Sequence, residues 1–197
     1  MKLYKKLIIL ACLIVFITLV ILLKLNMLDS LDNTIYDALT IFKSKVFTKA
    51  IIFITFFGGM SITIILIILC LLINRKKGIY MIVNTGSILL INSIIKFIIA
   101  RPRPEGIGII EESWYSFPSA HAMNSVALYG LIIYYIFKTD KIRCKKGLIT
   151  ILLGLSIIVP LSRVYLGVHY FSDVLAGASL STIWLLIFTS YLEKKSI

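Results

Sequence analysis

The sequence predicts an all-α membrane protein, a six-helix bundle formed by a single domain over residues 1–197. Hydrophobic residues make up 59% of the chain and its mean hydropathy is +1.00, far above the values of soluble domains. Six apolar runs also approach the roughly 20 residues that a helix needs to cross a bilayer. Because backbone polar groups must be satisfied within lipid, and because the runs do not alternate as barrel strands do, we expect helices.

The six predicted spans cover residues 7–23, 50–74, 78–95, 113–137, 147–162 and 174–192. The first three contain no charged residue, and the fifth is the shortest. Three lysines precede the first run, as in a secretory signal peptide, but residues 24–27 offer no small-residue cleavage site. We therefore expect the first span to be retained as an anchor helix.

The connections between spans carry further local signals. The loop over residues 24–49 is polar and of mixed charge, and we expect it to lie along the outer membrane surface with a short amphipathic helix. The Arg-Pro-Arg-Pro sequence at 101–104 ends the third span, because alternate prolines prevent a continuing helix. The glycine pair at 58–59 predicts close packing or a bend in the second span.

The distribution of lysine and arginine predicts the orientation of the chain. With a cytoplasmic N-terminus, the inner segments hold thirteen basic and two acidic residues, and the outer segments eight basic and seven acidic residues. We therefore expect a multi-pass protein of the cell membrane with both termini in the cytoplasm. A net charge of +12 is also compatible with nucleic-acid binding, but short basic clusters at alternate span ends are typical of membrane topology, so no nucleic-acid partner is expected.

Five ionisable residues lie near membrane depth, where such groups are costly and usually functional. Under the predicted topology they all fall at the outer ends of spans, and they are Lys96, His121, Arg163, His169 and Asp173. Arg103 and Ser119 join the same layer. Each residue alone is compatible with an ordinary interfacial side chain. Together they predict a site, because both histidines of the chain occur in one layer with three cations.

Three positive charges in one pocket indicate a multiply charged anion, for which phosphate is the obvious candidate. Pro118 and Ser119 support this interpretation, because proline is favoured in the first turn of a helix. The free backbone N–H groups of Ser119, Ala120 and His121, with the helix dipole, would then point toward the anion.

His169 and Asp173 are four residues apart, which places both side chains on one face of the sixth helix if that helix has already started at His169. The carboxylate can hold one imidazole nitrogen protonated and leave the other free to attack phosphorus. His121 comes from another helix. It would serve as general acid for the departing oxygen, and then as base for the water that clears the phosphohistidine.

Phosphoryl transfer depends on positioning and on charge stabilisation, which metal ions usually supply. Here the positive charges of Lys96, Arg103 and Arg163 can supply that charge stabilisation. Their positive charge would repel a divalent ion from a site with two histidines and one carboxylate. The three cysteines are widely spaced and form no zinc motif. No metal and no other cofactor is therefore expected.

Three blocks of the chain resemble the motifs of the type 2 phosphatidic acid phosphatase superfamily, which are K-x6-RP, PSGH and SR-x5-H-x3-D. In order, the matching residues are Lys96 with Arg103-Pro104, then Pro118-Ser119-Ala120-His121, then Ser162-Arg163 with His169 and Asp173. The spacing selects Arg103 over Arg101 as the phosphate ligand. Residues 116–119 and 162–169 look most like bacterial phosphatidylglycerophosphatase B-type members of that superfamily.

The resemblance implies a helical bundle that is surrounded by membrane lipids and acts on a lipid phosphate. Its site would lie at the outer interface of the bilayer. It implies His169 as nucleophile, Asp173 as its orienting partner and His121 as acid and base. Phosphate binding would fall to Lys96, Arg103, Ser119, Ala120 through its backbone N–H, and Arg163. The candidate substrates are phosphatidylglycerophosphate, undecaprenyl pyrophosphate and phosphatidic acid, which the sequence does not rank.

Ala120 stands where the superfamily usually has glycine. Alanine still supplies an N–H group, but its methyl group can crowd the phosphate or disfavour a positive φ. We expect reduced or altered activity, not loss of activity.

Other functions are compatible with parts of the pattern. A phosphotransferase would pass the phosphoryl group to an acceptor lipid, and release of free phosphate separates it from a phosphatase. A transporter or channel would use the cations to attract an anion, but a through-pathway places ionisable residues at several depths, whereas these lie in one layer. The intact histidines and Asp173 argue against a non-catalytic membrane protein.

Overall fold

The computed structural model describes residues 1–139 and 143–195, and in these ranges it contains eight helices and no strand. The helices are α1 (Leu3–Lys24), α2 (Asp29–Thr40), α3 (Lys45–Phe56), α4 (Met60–Ile73), α5 (Arg75–Ile99), α6 (Ala120–Phe137), α7 (Lys145–Tyr165) and α8 (Phe171–Lys194). The predicted all-α class is confirmed.

Five helices, α1, α5, α6, α7 and α8, are each long and apolar enough to cross a membrane. The pair α3 and α4 passes the same test when taken together, although the two helices are bent by 42° at their junction. The predicted six-helix bundle is therefore confirmed, but the bounds of several spans differ from those predicted. The second predicted span, 50–74, is not one straight helix, and it begins at Lys45, earlier than predicted.

The break between α3 and α4 lies at the glycine pair. Gly59 is the N-cap residue of α4 and has an extended backbone. Gly58 packs closely against its neighbours, since a Cβ atom there would lie 2.3 Å from Val159 Cγ1 and 3.0 Å from His121 Cδ2. The predicted bend and close packing at these glycines are both confirmed.

The fourth predicted span, 113–137, begins too early. The helix starts at Ala120, because Pro118 keeps the preceding residue out of the helical conformation and Ser119 caps the first turn. The Ser119 hydroxyl accepts a hydrogen bond from the N–H of Ala122 over 3.4 Å. Residues 113–119 form a loop instead, and Ser113 and Ser116 of this loop contact residues of the site described below.

A short helix, α2, forms within the predicted surface loop, in agreement with the sequence. Tyr36 and Leu39 pack against a small buried cluster that includes Val164 of α7 and Val174 of α8. Asp32, by contrast, is a charged residue of α2 that is only 2% exposed. This helix is therefore held against the ends of α7 and α8 by both apolar and polar contacts.

The helix α6 is the centre of the bundle and packs against α5, α7 and α8. Its buried side chains Leu128, Tyr129 and Leu131 join Met81 and Phe188 in an apolar core. The outer helices α1 and α4 expose many leucine and isoleucine side chains, as expected of helices that face lipid.

The bundle has two distinct ends. One end gathers the C-termini of α5 and α7 and the N-termini of α6 and α8, and it carries the predicted site residues. At the other end, Lys5 of α1 forms a salt bridge of 3.0 Å with Glu193 in the last turn of α8. Since α8 has 24 residues, the two ends are ~36 Å apart at a rise of 1.5 Å per residue.

Candidate active site

His169 lies in the turn that joins α7 to α8. Its N–H donates to the carbonyl oxygen of Arg163 over 3.3 Å, which folds the turn back onto the end of α7. Gly167 has a φ of +69°, and a Cβ atom there would lie 2.4 Å from the carbonyl oxygen of Ile107. Glycine is therefore required at position 167, and the turn that it allows sets the position of His169.

The His169 ring has a partner at each nitrogen. Nδ1 lies 3.4 Å from Asp173 Oδ2, and Nε2 lies 3.2 Å from Nη1 of Arg103. Since a carboxylate accepts and a guanidinium donates, these partners favour a proton on Nδ1 and a lone pair on Nε2. Burial lowers the pKa of His169 to about 4, although the hydrogen bond to Asp173 opposes this shift. The ring is neutral at pH 7.

Asp173 is fully buried, and its two oxygens have different donors. Oδ2 accepts from the Ser116 hydroxyl and from the N–H of Tyr170 at 2.9 Å, in addition to His169. Oδ1 accepts from Nη1 of Arg101 at 2.7 Å. The carboxylate is therefore fixed in orientation by contacts with the loop before α6, the α7–α8 turn and the loop after α5.

Arg103 and Arg163 converge on the carboxylate of Glu112. Nη2 of Arg163 donates to Glu112 Oε1, and Nη2 of Arg103 lies 3.9 Å from Oε2. Arg163 is 1% exposed, and its Nη1 donates to the Thr55 hydroxyl at 3.0 Å. Its Nε atom has no hydrogen-bond partner in the described part of the chain. The two arginines thus form a cationic pocket with an unpaired donor.

Backbone carbonyl groups hold Arg103 in place. Its Nε donates to Trp114 at 2.9 Å, its Nη1 to Val168 at 2.7 Å and its Nη2 to Ser113 at 3.1 Å. Burial lowers the pKa of Arg103, and Glu112 opposes the shift, so the side chain stays charged. A cavity of about 800 Å³ opens beside Arg103, large enough for a phosphorylated headgroup.

Lys96 lies in the last turn of α5 and is 4% exposed. Its Nζ atom donates to the carbonyl oxygens of Tyr115 and Ser116, the second at 3.2 Å. The Ser116 hydroxyl in turn contacts His169 and Asp173. The structure therefore brings Lys96 into the cluster, but its ammonium group contacts the loop and not the pocket between the two arginines.

The start of α6 borders the same cluster. The N–H of Ser119 donates to the carbonyl oxygen of Asp173 over 3.0 Å, so the expectation of a free N–H at Ser119 is wrong. That group joins α6 to α8 instead. Ala120 and His121 lie in the first turn, where a helix leaves N–H groups without intrahelical partners. Ala120 is helical and has no positive φ, so its backbone does not require glycine.

His121 lies in the first turn of α6 beside Gly58, where an added Cβ atom would lie 3.0 Å from its Cδ2. The His121 ring lies within electrostatic range of the guanidinium groups of Arg163 and Arg103 and of the His169 ring. The structure therefore brings the two predicted histidines together, His121 from the first turn of α6 and His169 from the turn before α8. Because α8 begins only at Phe171, His169 and Asp173 do not share a helix face as the sequence suggested, and they meet across the start of that helix instead. One side of the His121 ring is closed by the break between α3 and α4.

Four residues of this cluster are absent from the set predicted by sequence, and they are Asp32, Arg101, Glu112 and Ser116. The motif spacing selects Arg103 and assigns no role to Arg101. The Arg-Pro-Arg-Pro sequence is the one signal for Arg101, since prolines at alternate positions hold both arginines in an extended segment. No periodicity or spacing marks the other three residues.

A family model described as the PAP2 superfamily matches residues 77–197. Phosphatidylglycerophosphatase B of Bacillus subtilis (strain 168) is 32% identical over 176 residues, which cover 86% of this chain and 87% of that protein. The match therefore covers most of the chain and not the motifs alone.

Two solved structures resemble the fold. The crystal structure of a transmembrane PAP2 type phosphatidylglycerolphosphate phosphatase from Bacillus subtilis aligns with a TM-score of 0.87 at 30% identity, over 94% of this chain and 96% of that one. Aquifex aeolicus LpxE aligns with a TM-score of 0.70 at 17% identity, over 82% and 96%, a likeness of fold alone. The chain therefore belongs to the PAP2 superfamily and is a multi-pass membrane phosphatase.

Proposed function

We propose that this protein hydrolyses the phosphomonoester of a membrane phospholipid, with phosphatidylglycerophosphate as the first candidate, through a phosphohistidine at His169. The arrangement of His169 supports the proposal best. Its Nδ1 faces Asp173, while its Nε2 lies 3.2 Å from the guanidinium of Arg103. A lone pair held beside a fixed cation suits attack on a phosphate group.

The choice of lipid rests on the relatives. The names of both Bacillus subtilis proteins state phosphatidylglycerophosphate as their substrate, and the solved one covers 94% of this chain. Undecaprenyl pyrophosphate and phosphatidic acid also present a terminal phosphate to a cationic pocket. They are therefore the comparison substrates in the test below.

In the first step, the Nε2 lone pair of His169 forms a bond to phosphorus while the bond between phosphorus and the lipid oxygen breaks. Protonated His121 gives its proton to that oxygen, and the lipid leaves as an alcohol. Asp173 stabilises the positive charge on the His169 ring. Arg103 and Arg163 stabilise the negative charge on the phosphoryl oxygens.

In the second step, water attacks phosphorus and the bond from phosphorus to Nε2 of His169 breaks, returning its electron pair to the nitrogen. Neutral His121 takes the proton of the water. Inorganic phosphate leaves, and both histidines return to their initial protonation states. One proton thus moves from His121 to the alcohol and is replaced from water in each cycle.

Substrate phosphate takes the place of the Glu112 carboxylate between Arg103 and Arg163, where it meets the unpaired Nε of Arg163. The N–H of Ala120 adds a donor from the start of α6. Ser119 contributes by fixing that helix end on Asp173. Lys96 contributes positive charge from behind the loop.

The positive charges of Lys96, Arg103 and Arg163 supply the stabilisation that metal ions provide in many phosphatases, so the reaction proceeds without a metal. EDTA is expected to leave the rate unchanged. Vanadate, which mimics pentavalent phosphorus, is expected to inhibit. Strong inhibition by EDTA would contradict this part of the proposal.

The site end of the bundle faces the outside of the cell, and both termini face the cytoplasm. The support is the charge distribution, because thirteen of the 21 basic residues fall in the segments at the terminal end. Labelling of single cysteines introduced at either end, with a membrane-impermeant maleimide on intact cells, tests this orientation. Labelling only at the end that carries the two termini would show the opposite orientation.

The test of the function is phosphate release by the purified protein from a panel of the three lipids. His169→Ala and His121→Ala are each expected to reduce release to the background. Radiolabelled phosphate should appear as free phosphate, since transfer to a second lipid would identify a phosphotransferase instead. Normal turnover by His169→Ala would overturn the proposed mechanism.

A further inference from the structure

The carboxylate of Asp173 is connected to a second buried carboxylate through one guanidinium. Arg101 donates from Nη1 to Asp173 Oδ1 at 2.7 Å and from Nη2 to Asp32 Oδ2 at 2.9 Å. Arg101 is 7% exposed and Asp32 is 2% exposed. The Arg101 guanidinium also lies 3.7 Å above the ring of Tyr170. The arginine is thus fixed on three sides.

Asp32 is bound on its other side to the start of α8. Its Oδ1 accepts from the N–H of Ser172 at 2.8 Å, and its Oδ2 accepts from the Ser172 hydroxyl at 2.8 Å. That hydroxyl also contacts Nη1 of Arg101 at 2.7 Å. Within the described residues, the side-chain hydrogen bonds of Asp32 therefore all end on Arg101, which pairs with Asp173, or on Ser172, its chain neighbour, although α2 lies far from α8 in sequence.

We infer that Asp32, acting through Arg101, is a positioning residue for the pair of Asp173 and His169. The inference rests on the proposed function, in which that pair carries the nucleophile. It assigns to α2 a part in the reaction that its exposed, amphipathic sequence does not suggest.

The physical reason is the division of charge around Arg101. One guanidinium between two carboxylates neutralises each of them only in part. Asp173 therefore keeps negative charge on Oδ2, the oxygen that faces His169. If Asp32 were neutral, Arg101 would pair fully with Asp173 and would weaken its hold on the imidazole as positive charge develops there.

The geometric reason is the orientation of the carboxylate. Arg101 fixes Oδ1 of Asp173, which sets the plane in which Oδ2 meets the imidazole. Asp32 in turn holds the guanidinium so that its two nitrogens cannot rotate away from this plane. Small errors in the position of a reacting group lower catalytic rates strongly.

The test is a double-mutant cycle on phosphate release. Asp32→Asn removes the charge but keeps the size, and it is expected to lower kcat about tenfold while KM changes less than about twofold. Arg101→Gln is expected to lower kcat at least as much. Because Asp32 acts through Arg101, the double variant should be no slower than Arg101→Gln alone.

The matched control is Asp37→Asn, which makes the same change at an exposed position of α2 and is expected to leave kcat and KM unchanged. Unchanged kcat in Asp32→Asn, or losses that multiply in the double variant, would overturn the inference. If Asp32→Asn does not fold, the kcat of Arg101→Lys is the test of the inference instead. Its single ammonium group cannot bridge both carboxylates, so a kcat equal to that of the unchanged protein would likewise overturn it.

His169→Ala, measured in the same series, separates this inference from the function on which it rests. Full turnover by His169→Ala would reject the proposed mechanism itself. An inactive His169→Ala beside a fully active Asp32→Asn would reject the positioning role alone.

Discussion

The carboxylate of Glu112 is hydrogen-bonded to the guanidinium of Arg163 at the centre of the cationic pocket. It also lies 3.9 Å from Arg103, so one anionic side chain faces both arginines that we propose to bind substrate phosphate. A phosphate group must therefore compete with a carboxylate of this same chain. If the two arginines bind phosphate as proposed, we expect this competition to lower the affinity for a phosphorylated ligand.

Glu112→Gln removes that competing charge. We expect KM for the lipid substrate to fall several-fold, because a partly exposed ion pair contributes about 1 kcal/mol, and vanadate inhibition to tighten by a similar factor. Steady-state kinetics of phosphate release measure both quantities. Glu105→Gln, the same change at an exposed residue that does not line the cavity, is the control and should alter neither value. Weaker vanadate inhibition in Glu112→Gln would show that the carboxylate supports anion binding.

The lowered pKa of His169 has a measurable consequence. Burial brings the pKa to about 4, so the ring stays neutral as the pH falls from 7 and becomes protonated only near that value. A histidine with an ordinary pKa of roughly 6.5 would already be charged at pH 5. Ring ¹⁵N NMR can follow this titration, because the chain has only two histidines. His169→Gln assigns the signal, and a midpoint near pH 6.5 would contradict the expected shift.

Ala120→Gly tests the departure from the superfamily motif. The helical backbone at Ala120 does not require glycine, so the substitution should leave the fold intact and keep turnover at least at its present level. Removal of the methyl group should raise kcat/KM modestly, by about two- to fivefold, if it crowds the phosphate. Phosphate release measures the effect. Abolished activity would show that Ala120 does not lie beside the substrate.

Gly58→Ala tests the contact between the break of α3 and α4 and His121, which we propose as the general acid. The added Cβ would lie 2.3 Å from Val159 Cγ1 and 3.0 Å from His121 Cδ2. We expect the ring to shift and kcat to fall about tenfold or more. Val159→Ala in the same chain makes room for the methyl group and should restore most of the rate.

The control for this prediction is Gly154→Ala, because a Cβ atom at Gly154 meets no atom within 4 Å. It should leave kcat unchanged. An unaltered rate in Gly58→Ala would show that His121 does not depend on the glycine contact. Failure of Val159→Ala to restore activity would indicate a backbone effect instead.

Sequence was sufficient for the membrane fold because each span is dominated by an apolar run that approaches the length needed to cross a bilayer. It was also sufficient to single out residues that the structure gathers at one end, such as His121 and His169, because few polar residues occur near membrane depth. It misjudged the start of α6, since the loop at 113–119 contains aromatic side chains that lengthen the apolar run. Hydropathy cannot separate a buried loop from a helix.

The contacts of the site were harder to predict for a different reason. Asp32 and Glu112 take their roles from tertiary packing, and neither lies in a motif or at a fixed interval from the histidines. Arg101 and Arg103 are two residues apart and of the same type, yet one pairs with Asp173 and the other approaches Nε2 of His169. Only the path of the loop after α5 distinguishes them.

The separation of the two bundle ends has a practical consequence. The salt bridge between Lys5 and Glu193 keeps both the first and the last helix anchored together, ~36 Å from the reacting groups. Affinity tags or fluorescent proteins fused at either terminus should therefore leave substrate access unobstructed. Purification handles and compartment reporters can share one end of the molecule while chemistry continues at the other.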